Sequence, residues 1–110
     1  MNRINSFPPI VDKDSQILIL GSVPGVKSLE MQQYYAHPQN QFWKILFHLF
    51  DEEFSLDYQE RIDLLKENKI ALWDVIESCE RKGSLDTEIK NEIDNNIPQL
   101  IESHPNVKII

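Results

Sequence analysis

The residues best suited to chemistry fall in three short segments. Gly21-Ser-Val-Pro-Gly25 is a glycine-proline loop that follows an apolar run. Backbone N–H groups in such a loop can approach a ligand closely and donate to a developing anion. It lacks the Gly-x-Gly-x-x-Gly and Gly-Lys-Ser/Thr patterns of dinucleotide and nucleotide-phosphate loops. Tyr34-Tyr-Ala-His-Pro-Gln-Asn40 gathers two phenol rings, an imidazole and a carboxamide within seven residues. Adjacent side chains diverge, so one tyrosine packs inward and the other is free to stack on a planar base. Asp74 to Ser84 carries a carboxylate, hydroxyls and the cations Arg81 and Lys82. Asp74 at a strand end reads first as the cap of a following turn; a general base of some other hydrolase is the weaker reading. Cys79 has no partner base nearby in sequence, which disfavours a nucleophile. His37, His48 and His104 show no ligand spacing and there is no Cys-x-x-Cys pair, so no metal site is expected.

The elements that must position these segments follow from periodicity. Gln16 to Leu20 is a continuous apolar run ending at the first loop, the pattern of a buried parallel strand. Phe42, Ile45, Leu46, Leu49 and Phe50 recur at helical spacing, which predicts a helix over 40–50. Tyr58, Ile62 and Leu65 predict a second helix closed near Asn68. Lys69 to Val75 predicts a second strand, and Glu77 to Leu85 a polar stretch turning at Gly83 and Ser84. Asp86 and Asn96 suit short helix caps, with Pro98 in the first turn of the latter. Val107 to Ile110 predicts the start of a third strand. The order of strand, helices, strand, helix and strand is that of a parallel sheet with helices on its faces. Ligands of open α/β sheets bind beyond the carboxyl ends of the strands. Both loops lie there.

The chain has 110 residues, enough for one domain spanning 1–110 with a modest core. The single cysteine excludes an intramolecular disulfide and fits a reducing, cytoplasmic compartment. No run resembles a secretory leader or a membrane span. Net charge is −7, which weighs against non-specific nucleic-acid binding. The distribution is uneven, however. Residues 1–20 balance at zero, 21–50 sum to +1, and 51–110 carry −8. An acidic rear and a near-neutral front leave room for DNA contact through backbone amides and a few cations.

Leu18-Ile-Leu-Gly-Ser-Val-Pro-Gly-Val-Lys-Ser-Leu29 resembles the first motif of the uracil-DNA-glycosylase superfamily. Tyr34-Tyr-Ala-His-Pro-Gln-Asn-Gln-Phe-Trp-Lys44 is similar to its His-Pro-x-Asn-x-Phe-Trp block. Ala71-Leu-Trp-Asp-Val75 and Ser78-Cys-Glu-Arg-Lys-Gly-Ser-Leu-Asp86 look like the hypoxanthine (deoxyinosine) glycosylase branch. The resemblance runs from about 17 to 110. It implies a three-layer α/β/α fold around a short parallel sheet, and hydrolysis of the bond joining a deaminated base to deoxyribose in DNA. The nucleotide is flipped into a pocket, with no metal or organic cofactor and no membrane. Relatives commonly carry Asp or Asn where this chain has Val23, or Glu where it has Ser22. Valine cannot position water; the resemblance to the hypoxanthine branch, where that loss is typical, implies the asparagine of the His-Pro-x-Asn block, Asn40, as the catalytic candidate, through its carbonyl to water or its amide to the base. Gly21, Ser22, Val23, Pro24, Tyr34, Tyr35 and His37 become the base-binding candidates. Lys27, Ser28, Arg81, Lys82 and Ser84 become the DNA contacts. The resemblance also implies a continuation beyond the third strand to a Ser-Pro loop that inserts into DNA, so the 110 residues read as the N-terminal portion of the family domain. The reading from a different class is a non-catalytic relative that binds nucleic acid or protein, favoured by the charge. Oligomeric state is not legible.

Overall fold

A computed structural model describes residues 3–109. Its centre is a three-stranded parallel sheet in the order β3-β2-β6. Strand β2 is Ile17–Gly21, β3 is Ile70–Asp74 and β6 is Lys108–Ile109. Side chains alternate across a strand, and the two apolar runs divide accordingly. Ile17 and Ile19 of β2, with Ile70 and Leu72 of β3, join one core cluster. Leu18, Leu20, Ala71 and Trp73 join the other. A continuous apolar run is what a strand buried on both faces needs.

Helices α2 (Phe42–Leu49) and α3 (Tyr58–Glu67) supply the first cluster through Trp43, Leu46, Phe47, Leu64 and Leu65. Helix α4 (Ile97–Ser103) supplies the second through Ile97 and Leu100. The sheet thus has helices on both faces, the three-layer arrangement. Its two crossovers lie on opposite faces and lead to opposite sides of β2, as right-handed connections require. The chain changes direction at β2, and the crevice at its carboxyl end is the place such folds leave open.

Asn68 and Asn96 cap their helices as expected, Asp57 is a cap the sequence reading did not single out, and Asp86 differs. The Asp57 carboxylate accepts from the N–H groups of Gln59 and Glu60, and Asn96 Oδ1 accepts from Gln99 N–H. Asp86 begins a 3-10 turn over Asp86–Glu88, but its carboxylate is taken by the Ser22 hydroxyl at 3.0 Å rather than by a helix end.

The polar stretch expected over 77–85 is in part a strand. Strand β4 (Ile76–Glu80) pairs antiparallel with β1 (Arg3–Asn5) and β5 (Lys90–Asp94) in a second sheet. Three polar residues in five conceal it. Cys79 and Ser78 are nevertheless buried, and Arg3 Nε donates to Ser78 Oγ at 3.2 Å. Strand β5 is exposed along its whole length, so it carries no apolar pattern to read.

Candidate active site

Backbone pairing brings the candidate loops together. The carbonyls of Gly21 and Ser22 accept from Val75 and Ile76 N–H at 2.8 and 3.0 Å, which extends the β2–β3 register past the strand ends. A cavity of about 310 Å³ opens there. It is lined by the Gly21–Gly25 loop, Tyr34, Tyr35, His37, Asn40, Lys27, Ser28, Asp74 and Ser84. This is near the lower end of small-molecule pockets, roughly 300–1,000 Å³, and suits one planar base. Helix α1 (Val26–Met31) starts at its edge.

The two tyrosines separate as adjacent residues must. Tyr34 is buried in the first core cluster, and its hydroxyl donates to the Pro8 carbonyl at 2.8 Å. Burial pushes its phenol well above the usual range, so it stays neutral. Its carbonyl accepts from the Trp43 indole N–H at 2.8 Å. Tyr35 is half-buried, adopts a positive φ of 51° and stacks on Phe42 at 4.1 Å between centroids. Left-handed backbone is unfavourable for a bulky residue, and here both rings still reach the cavity, their centroids 6.4 Å apart. Phe42 was legible only as part of a helical core stripe.

Asn40 and His37 are exposed at the cavity rim, each with one polar atom committed to backbone. Asn40 Oδ1 accepts from Phe42 N–H at 2.8 Å, closing a turn that delays the helix expected from residue 40 until Phe42. An N–H can only donate, so the bond fixes which amide atom faces it. The Asn40 NH₂ group and one carbonyl lone pair remain for a ligand. His37 Nδ1 accepts from Gln39 N–H at 3.1 Å, which leaves Nε2 to carry the proton in the neutral ring.

Three residues read as DNA contacts tie loops together in the fold. Ser28 is buried, and its hydroxyl accepts from Ala36 N–H. Ser84 Oγ accepts from Val26 N–H at 2.9 Å, joining the second loop to α1. Arg81 is only 5% exposed. Its Nη2 donates to the Pro24 carbonyl and its Nε to the Gly83 carbonyl, both at 2.7 Å. The guanidinium therefore braces the Gly21–Gly25 loop from beneath and does not line the cavity. Lys27 stands at the cavity edge, 3.6 Å from Glu30, and Lys82 is exposed on the second loop. Among the described residues, the Val23 and Gly25 N–H groups have no hydrogen-bond partner.

Asp74 is the lining residue that sequence reasoning placed too low. Its side chain caps no turn; it is 4% exposed and lines the cavity. A Cβ built on Gly21, its neighbour across the register, would lie 2.6 Å from Asp74 Oδ1 and 3.0 Å from the Tyr35 hydroxyl. Position 21 is glycine because the carboxyl and the phenol occupy the space of a side chain. Gly21→Ala is expected to cost about 1–3 kcal/mol, the usual cost of overpacking. A thermal melt of the variant measures it, and an unchanged midpoint would contradict the crowding.

Burial pushes the Asp74 carboxyl up from 3.8 to about 6. In that window the folded chain holds a proton that the unfolded chain has released. The associated stability is therefore full below pH 4 and lost as pH rises through 6. Asp74→Asn, which cannot ionise, is expected to be more stable than the parent by about 1–3 kcal/mol at pH 7.5. The gain should vanish at pH 4, as read from urea midpoints at the two pH values.

Among the described residues there is no helix long and apolar enough to cross a membrane, and no group of three His, Cys, Asp or Glu placed to hold a metal ion.

Residues 8–110 match the model of the uracil DNA glycosylase superfamily. A hypoxanthine DNA glycosylase from Methanosarcina barkeri is 46% identical over 105 residues, and one from Methanosarcina acetivorans is 39% identical over the same length. Each alignment covers 94% of this chain and 66% of the relative, so the chain spans about two thirds of the curated proteins it matches. A solution NMR structure from Methanosarcina acetivorans, carrying a provisional uracil DNA glycosylase name, superposes with a TM-score of 0.86 at 37% identity. It covers 98% of this chain and 68% of that one. The chain belongs to the uracil DNA glycosylase superfamily.

Proposed function

We propose that the protein is a monofunctional DNA glycosylase that hydrolyses the N-glycosidic bond of a deaminated base, hypoxanthine first and uracil second, as the opening step of base excision repair. One observation carries this reading most. A single-base cavity at the carboxyl end of β2 gathers the glycine-proline loop, Tyr35, His37 and Asn40, with Asp74 and Ser84 from a block some fifty residues further on. The two hypoxanthine DNA glycosylase relatives support the choice of base.

The chemistry follows from what the cavity offers. As the glycosidic bond stretches, the sugar gains positive charge and the base negative charge. The unpaired N–H groups of Val23 and Gly25 are pre-organised donors for the departing base. Tyr35, backed by Phe42, offers a ring face for stacking on the flipped base. Asn40, with its carbonyl oriented by Phe42 N–H, holds a water for the sugar carbon. An oxocarbenium-like centre needs a placed water more than a strong nucleophile. Lys27 and Lys82 stand where flanking phosphates would run, while Ser28, Ser84 and Arg81 hold the loops to shape. Site of action is the cytoplasm in this reading, consistent with a buried, unpaired Cys79.

Labelled duplexes carrying one deoxyinosine or one deoxyuridine, treated with alkali after incubation, test the reading. Cleavage at inosine is the expected result. Binding without cleavage at either base would replace the enzyme with a non-catalytic nucleic-acid-binding relative; neither binding nor cleavage would leave the protein-binding relative that the −7 charge favours.

A further inference from the structure

We propose that Asp74 is a catalytic residue of the glycosylase, acting as a neutral carboxylic acid that donates its O–H to the carbonyl oxygen of the departing base. The inference rests on the glycosylase reading above and adds to it the group that selects the base.

The geometry comes first. Among the described residues Asp74 is the one acidic side chain lining the cavity, and it is almost fully buried there. Its Oδ1 and the Tyr35 hydroxyl both lie within about 3 Å of the point where a Gly21 Cβ would sit. Gly21 thus leaves the carboxyl room beside the Gly21–Gly25 loop, which lines the same cavity. No cation pairs with Asp74; among the described residues the sole ion pair is Lys27–Glu30. The titratable or charged groups around it are Tyr34 and Tyr35 from the 33–40 loop, His37 from the same loop, and Lys27 from α1. A buried carboxyl without a cation keeps its proton more readily, as the rise to about 6 reflects. A base seated in the cavity removes more water and moves it further in the same direction.

The chemistry then selects the substrate class. Hypoxanthine, xanthine and uracil carry a ring N–H beside a carbonyl. A carboxylic acid matches that edge with two hydrogen bonds, its O–H to the carbonyl and its C=O to the N–H. When the glycosidic C–N bond breaks, its electron pair stays with the base. Much of the resulting charge collects on the carbonyl oxygen, where the Asp74 O–H strengthens as a donor. Water forms the new C–O bond at the sugar, and its proton neutralises the released base. Adenine presents no oxygen to take that charge. It is therefore rejected in the transition state even where it fits the cavity.

The test is a single-turnover pH profile on an inosine duplex from pH 5 to 9, using the full protein. The parent rate is expected to fall about tenfold per pH unit above the pKa of the occupied site. Asp74→Asn, a neutral amide with a donor in the same place, is expected to stay within about tenfold of the best parent rate and to lose the pH dependence. Asp74→Ala is expected to lose about 10²–10³-fold, chiefly in rate rather than in affinity. His37 also lines the cavity, so His37→Gln is run beside them and must keep the alkaline fall whatever its rate. A flat parent profile, or Asp74→Asn as slow as Asp74→Ala, would overturn the role of Asp74 while excision by the parent upheld the glycosylase. No excision by the parent at any pH would overturn both.

Discussion

Asn40→Ala is expected to slow single-turnover excision of hypoxanthine by about 10²–10³-fold, the scale seen when one pre-organised polar group is removed from an active site. The fold should survive. Asn40 is exposed, and what alanine removes from the fold is one bond, from Phe42 N–H to Oδ1. Such a bond contributes about 1 kcal/mol. The loss of rate would thus far exceed the loss of stability, and a urea titration beside the kinetic assay separates them. Asn40→Asp keeps an acceptor for Phe42 N–H while deleting the NH₂ donor. Excision retained in that variant assigns the carbonyl oxygen to water; excision lost assigns the amide to the base. A rate within threefold of the parent in Asn40→Ala would leave Asn40 as a turn residue only.

Trp43→Ala is expected to give the largest loss of stability, about 3–5 kcal/mol for a buried aromatic. Trp43 is 1% exposed and sits between α3 and the Tyr34–Asn40 loop. Its ring meets Phe42 and Tyr58 edge-on, and the Arg61 guanidinium lies 5.7 Å from it. Its N–H holds the Tyr34 carbonyl. Alanine there removes the packing and also frees the loop that carries Tyr35, His37 and Asn40. A drop of several kcal/mol in unfolding free energy, read from chemical denaturation, is the expected outcome. A loss below about 1 kcal/mol would mean that the loop is held by other contacts.

The parallel sheet was legible because its strands are apolar on both faces, and Leu18 and Ile19 could be seen to need partners above and below. Helices α2 and α3 were legible from a 3.6-residue stripe. The antiparallel sheet was not. Strand β4 buries Cys79 and Ser78 but exposes Glu77, and β5 buries nothing, so neither shows an apolar alternation. Of the site, the two loops and the divergence of Tyr34 from Tyr35 could be inferred from residue types. The inward turn of Arg81 could not, because a cation in a polar stretch reads as solvated until the Pro24 and Gly83 carbonyls are seen around it. Asp74 was undervalued for the opposite reason. A carboxylate at a strand end usually caps a turn, and only the packing of Gly21 against it shows that it points into the cavity.

The glycosylase assignment is tested most directly by quantifying the free base released from an inosine-containing duplex, by chromatography with mass detection, for the parent and for Asn40→Ala. The expected result is free hypoxanthine in step with abasic sites for the parent, and at least a hundredfold slower release for the variant. Absence of free hypoxanthine from the parent, with its fold intact by circular dichroism, would contradict it.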